Sequence, residues 1–95
     1  MKRIAYIATF ALAVGLAGAA QAQCFVDYKA KQDAPLRLHY GIMEVSGPCR
    51  AGPARKQVRD RLQANGWKLL NVLGAFGPEG LQERRANAGA YYLRF

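Results

Sequence analysis

The sequence predicts a small α+β domain: a three-stranded sheet with one helix packed on one face, in the order β-α-β-β, held by a disulfide. Three observations support this prediction. Residues 36–42 alternate along a predicted strand at 36–45, residues 53–64 repeat apolar side chains at helical spacing, and two cysteines lie beyond an export signal. The chain is short, and it carries neither an internal repeat nor a linker, so residues 23–95 form one domain.

Residues 1–22 are predicted to be a secretory signal peptide. The chain begins with a short positive segment, continues with an apolar run over residues 4–20, and ends in a small-x-small motif at residues 20–22. A membrane anchor is the alternative, but a spanning helix needs about 20 strongly apolar residues. We therefore expect cleavage after Ala22, a periplasmic or secreted protein, and no transmembrane segment after cleavage.

The remaining chain is basic and small. Without Lys2 and Arg3, twelve basic residues stand against six acidic ones, which leaves a net charge of +6. A domain of this size buries only about 60% of its unfolded surface and often needs a covalent staple. Cys24 and Cys49 predict a disulfide whose loop of about 26 residues contributes roughly 3–4 kcal/mol. Free thiols or a metal pair are the alternatives, but a metal needs more ligands than these two and His39.

The first elements follow from local patterns. Residues 23–35 are mixed and polar, and predict an irregular arm pinned by Cys24. Residues 36–45 alternate with period two, which is typical of a half-buried strand. The apolar face of that strand is Leu36, Leu38, Tyr40 and Ile42, and the opposite face is Arg37, His39 and Met43.

A helix and two further strands complete the prediction. Pro53 opens the helix, and Asn65-Gly66 ends it. The helix carries one apolar stripe, Ala54, Val58 and Leu62. Residues 67–76 are apolar on both sides and predict a central strand. A long connection, with a short helix at about 81–88, leads to an aromatic strand at 91–95.

One face of this sheet lacks a cover. If strands 36–45 and 67–76 are parallel, the helix is a right-handed crossover that covers one face only. The other face would expose Met43, Leu70, Val72 and Tyr92, and such a patch is unusual in water. The predicted covers are the 23–35 arm, the 75–90 segment, a second copy or a partner.

The motif Leu62-x-x-x-Gly66-Trp67-x-Leu69-Leu70-x-Val72, followed by Tyr91-Tyr92-Leu93-Arg94, resembles a family of small bacterial domains of unknown function. The resemblance covers roughly residues 36–95 and implies the order strand, helix, Gly-Trp, strand, hairpin, strand. It implies no activity and no site. The two cysteines and the long 74–90 connection depart from the pattern and indicate an exported variant.

The residues predict no catalytic, metal or cofactor site. Ser46 is the one hydroxyl side chain of Ser or Thr type beyond the signal, and His39 is the one histidine. A hydroxyl nucleophile needs a base and an orienting group within reach. The six carboxylates are scattered, so paired acid–base chemistry is not expected. We therefore predict a non-enzymatic protein.

Two basic surfaces are candidates for binding. One is the helix face of Arg55, Lys56 and Arg59, and the other is a sheet face with Arg37, His39, Tyr92 and Arg94. The alternatives are a solvated basic surface and, for His39, a plain surface residue. An anionic envelope polymer, an envelope protein or a homodimer would be the partner, and export argues against nucleic acid. A second hypothesis is a periplasmic hydrolase inhibitor that acts through the 74–90 loop.

Overall fold

The computed structural model describes residues 23–95. The predicted signal peptide lies outside these residues. The elements in chain order are β1 (Cys24–Gln32), β2 (Arg37–Val45), α1 (Ala51–Ala64), β3 (Lys68–Phe76), a 3₁₀ turn (Pro78–Gly80), α2 (Leu81–Ala88) and a second 3₁₀ turn (Gly89–Tyr91). The buried core residues lie on the strands and helices of this segment and on Trp67.

The sheet has the strand order β2-β1-β3, and both outer strands run antiparallel to β1. β2 and β3 are therefore parallel to each other, which is the arrangement we considered for residues 36–45 and 67–76, but β1 lies between them. The α+β class, the three-stranded sheet and the Cys24–Cys49 disulfide are confirmed.

The order of elements differs from the predicted one, because it is β-β-α-β. The expected arm contains β1, which is the central strand, and the expected central strand is the edge strand β3. Residues 91–95 form no strand. They touch β2 through a single bridge between Ile42 and Tyr92, where the Leu93 amide donates to the Ile42 carbonyl at 3.0 Å.

The helix-covered face of the sheet holds the larger core. The predicted stripe of α1 is buried, and it packs on the alternate residues of β1, Val26, Tyr28 and Ala30. The two faces of β2 are the reverse of the expectation. Met43 is fully buried under the helix, whereas Leu38 is 66% exposed.

A tyrosine and a glycine fix that choice of face. Tyr28 is fully buried in the central strand, and Gly41 is its cross-strand partner on β2. A Cβ on Gly41 would lie 2.5 Å from the Tyr28 hydroxyl oxygen, so the tyrosine ring occupies the space where a side chain would stand. This packing requires the Gly41 side of β2, with His39 and Met43, to face the helix.

The opposite face is covered over half of its length. Phe25, Ile42 and Ala88 form a small buried cluster there, and Phe76, Leu81 and Tyr92 pack around it. Of the four predicted covers, the 75–90 segment is the one observed, through α2. Met43 and Val72, which we expected on this face, belong to the helix side instead. No segment within residues 23–95 covers the other half of this face, where Leu38 and Leu70 are exposed.

We predict that Gly41→Ala destabilises the protein by about 1–3 kcal/mol, because the added methyl overpacks the space filled by Tyr28. Gly52→Ala is the matched control, since no atom lies within 4 Å of its Cβ and alanine favours a helix. Urea denaturation measures the free energy of unfolding of both variants. Equal midpoints for the two variants would contradict the proposed packing.

We predict that Cys24→Ala/Cys49→Ala lowers the free energy of unfolding by roughly 3–4 kcal/mol, because the unfolded chain is released from its loop. Adding a reductant to the wild type should shift the denaturation midpoint in the same direction. The double variant is the control and should not respond to reductant. A wild-type midpoint that is insensitive to reductant would refute the prediction.

Candidate binding surface

His39 lies inside an aromatic cluster, and it is only 8% exposed. Its Nε2 is 3.0 Å from the Tyr28 hydroxyl oxygen. Its ring stacks on Tyr91 at 3.7 Å between centroids and meets Trp67 at 4.2 Å, nearly at right angles. Within residues 23–95, no group hydrogen-bonds the buried Nδ1. His39 therefore holds the C-terminal segment against β2 and is not a surface contact.

The surroundings of His39 favour its neutral form. Burial lowers the pKa of His39, and the nearby positive charge of Arg94 lowers it further. The Arg94 guanidinium lies 5.6 Å from the centre of the Tyr91 ring, so it extends the same stack. Burial also raises the pKa of the Tyr28 hydroxyl well above its usual range, which keeps that group neutral.

The four residues predicted on the sheet face do not form one surface. Arg94 and His39 meet through Tyr91, on the helix-covered side. Tyr92 packs with the cluster on the opposite face, where Arg85 lies 5.1 Å from its ring centre. Arg37 is exposed at the start of β2.

The predicted helix surface exists, but an acidic residue partly neutralises it. Arg55, Lys56 and Arg59 are exposed on α1. The Lys56 ammonium lies 2.6 Å from one Asp60 oxygen, and Arg59 approaches the other at 3.9 Å. The hydrogen bond from Lys56 lowers the pKa of Asp60, so the carboxylate stays charged. This face therefore carries less free positive charge than its sequence suggests.

The uncovered half of the sheet shares Leu70 with the exposed face that we predicted, but its other residues differ. We call it the open half, and we define it by Lys29, Lys31, Leu38, Lys68 and Leu70. The register places Lys31 between Leu38 on β2 and Lys68 on β3. Directly paired side chains on one sheet face have Cβ atoms about 4.5–5.5 Å apart. The open half is thus a continuous patch of lysines and leucines.

A shallow depression marks this patch. It encloses about 280 Å³ and is lined by Lys29, Leu38, Tyr40 and Leu70, with Ala30 and His39 beneath. Leu38 is 66% exposed and Leu70 42% exposed. Lys31 pairs with Asp33 at 3.4 Å. In the described chain, Lys29 and Lys68 have no carboxylate partner.

A polar network separates the open half from the covered half. The Tyr40 hydroxyl donates to an Asp27 oxygen at 3.0 Å, and the Arg84 guanidinium of α2 lies 3.4 Å from the same carboxylate. Arg84 also lies 4.1 Å from the centre of the Phe76 ring. Burial, followed by this hydrogen bond, raises the pKa of Tyr40 to about 12. The network ties α2 to the sheet and fixes where the cover ends.

A second depression has a structural explanation. It encloses about 380 Å³ beside Arg61, Ser46 and Phe95. The Arg61 guanidinium donates to the Glu44 carbonyl at 2.6 Å and to the Gln57 side chain at 2.7 Å. Its charge is thus already engaged in joining α1 to the end of β2.

The chain was compared with known protein families, curated proteins and solved structures. No family model, no curated protein and no solved structure matches the chain. The resemblance to small bacterial strand–helix–strand–strand domains therefore stays a prediction. Over residues 23–95, no group of three or more potential metal ligands occurs, and neither helix is long and apolar enough to cross a membrane.

We predict that the protein loses stability as the pH falls below about 6.5, the ordinary pKa of histidine in an unfolded chain. Folding lowers the pKa of His39, so neutral His39 contributes its full stabilisation above pH 6.5. This contribution declines as the pH falls from 6.5 to the pKa of His39 in the folded state. One proton limits the slope to about 1.4 kcal/mol per pH unit. Urea denaturation between pH 7.5 and pH 5.0 measures it.

His39→Gln is the control for this titration, because glutamine is neutral throughout the range. Its stability should change less than that of the wild type between pH 7.5 and pH 5.0. Parallel pH profiles for the two proteins would show that the loss arises elsewhere.

Proposed function

We propose that this protein is an exported, non-enzymatic binding module of the cell envelope, which engages an anionic partner through the open half of its sheet. The supporting observation is that exposed leucines share one patch with Lys29 and Lys68, which have no carboxylate partner among the described residues. Single exposed leucines are common on protein surfaces, but a contiguous apolar patch bordered by charge is typical of an interaction site.

The distribution of charge supports the open half over the helix. Asp60 partly neutralises the helix, and Asp27 and Glu83 engage Arg84. Arg61 is held by a carbonyl group. By contrast, the lysines of the open half face one carboxylate, Asp33. Among the described residues, Lys29 and Lys68 thus have no carboxylate partner beside Leu38 and Leu70, whereas on the helix face this holds for Arg55 alone.

The competing functions have less support. An enzyme would need a base in a cleft, but His39 is buried with its Nε2 bonded to Tyr28. The depression nearest to it is lined by no carboxylate of residues 23–95. An inhibitor would need a protruding loop, but the 74–90 segment consists of the end of β3, a 3₁₀ turn and α2, and it packs on the sheet.

We predict that Leu38→Glu/Leu70→Glu abolishes binding to washed envelope fragments and leaves the melting temperature nearly unchanged. Both side chains are exposed, so the added charges disturb the partner contact and not the core. Co-sedimentation of purified residues 23–95 with the fragments measures binding, and circular dichroism measures folding.

Leu93→Glu is the matched control. Leu93 is 40% exposed, and its amide donates to the Ile42 carbonyl, about 13 Å along β2 from Leu38. It should sediment like the wild type. If the double variant unfolds, this face is core, and if it sediments normally, the partner binds elsewhere; both results contradict the proposal.

A further inference from the structure

We infer that the partner of the open half is the surface of an anionic lipid bilayer. This inference rests on the proposed function and names the chemical class of the partner. It follows from three properties of the patch: the sign of its charge, the exposure of its leucines, and the shape of the neighbouring strand edge.

The charge excludes a second copy of the same face. The open half carries the positive charges of Lys29, Lys31 and Lys68, and among the described residues its one carboxylate is that of Asp33. Arg37 lies exposed at the same end of the sheet. Two such faces brought together would place like charges opposite one another, which is unfavourable. An anionic surface is complementary, and each lysine held near anionic lipid strengthens binding about fivefold.

The leucines distinguish a bilayer from a soluble anionic polymer. A polymer would be held by the lysines alone and would gain nothing from leucines that stand out of the sheet. Leu38 and Leu70 line the same depression as Lys29, and Leu36 is 65% exposed in the turn that precedes β2. Apolar side chains that enter the acyl boundary while lysine ammonium groups stay at headgroup level are the arrangement of interfacial proteins.

The edge of β3 argues against a protein partner that adds a strand. Within the described sheet, the outer edge of β3 pairs with no strand. Its pairing with β1 is shifted at two places, so that Leu70 and Leu73 are the extra residues. Bulges of this kind bend an edge and hinder further strand pairing. The face of the sheet, rather than its edge, is therefore available to a partner.

The test uses residues 23–95, recovered after export of the full chain and checked by mass, because an attached apolar signal segment would itself enter lipid. Lipid vesicles of phosphatidylcholine alone are compared with vesicles containing 30 mol% phosphatidylglycerol. We expect co-sedimentation with the anionic vesicles, weaker binding at 0.5 M NaCl than at 0.05 M, and little binding to the neutral ones.

Two pairs of variants separate the contributions. Lys29→Gln/Lys68→Gln should weaken binding to the anionic vesicles roughly thirtyfold. Leu38→Gln/Leu70→Gln should weaken it about tenfold, because partial burial of the leucines in lipid is lost. Arg55→Gln/Arg59→Gln is the charge-matched control on α1 and should bind like the wild type, since that helix covers the opposite face of the sheet.

The outcomes separate this inference from the proposed function. If the protein binds envelope fragments through Leu38 and Leu70 but does not bind the anionic vesicles, the inference of a lipid partner is wrong. The partner would then be a protein or a polymer. Loss of vesicle binding in the lysine pair but not in the leucine pair would also overturn the inference, because charge alone would be responsible. An equal loss in the α1 control would do the same. If the wild type binds neither envelope fragments nor vesicles, the proposed function itself fails.

Discussion

The Tyr28 ring of the central strand fills the space beside Gly41 of β2, and its hydroxyl oxygen lies 3.0 Å from His39 Nε2. The contact needs a large ring on one strand and an absent side chain on the other. Because side chains alternate along a strand, it decides the orientation of every residue of β2 at once. Met43 is consequently buried and Leu38 faces water, although hydrophobicity alone favours the reverse.

The buried histidine extends this constraint to the end of the chain. Tyr91 stacks on the His39 ring, and Arg94 lies over Tyr91. The same segment then places Tyr92 on the opposite side, next to Ile42 and α2. One short C-terminal segment thus closes the outer edge of β2 and joins both core clusters, although it makes only one bridge to the sheet. The covered half of the second face depends on this arrangement.

Local patterns in the sequence predicted the elements whose cause is local. The helix follows from Ala54, Val58 and Leu62, and its end follows from Gly66, whose φ is +81°. β1 was missed, although Val26, Tyr28 and Ala30 alternate with polar residues, because the apolar Phe25 interrupts the period. The prediction of a strand at 91–95 was wrong. Aromatic residues favour strands in general, but here Tyr91 stacks on the His39 ring. Leu70 is the one residue of the open half that we expected on an uncovered face, since the rest depends on Lys31 and Lys68 becoming neighbours across the sheet.

The two faces of the sheet are unequal because the covering elements have unequal lengths. α1 spans fourteen residues and packs on the larger core cluster, whereas α2 spans eight and packs on the smaller one. A helix rises about 1.5 Å per residue, so α2 reaches roughly 12 Å, against about 30 Å for a nine-residue strand. Arg84 fixes α2 over the Asp27 end and thereby leaves the Lys31 end bare. A fold that needed only stability would gain by extending this cover, so the bare end, with its lysines and leucines, is where selection for a partner would act.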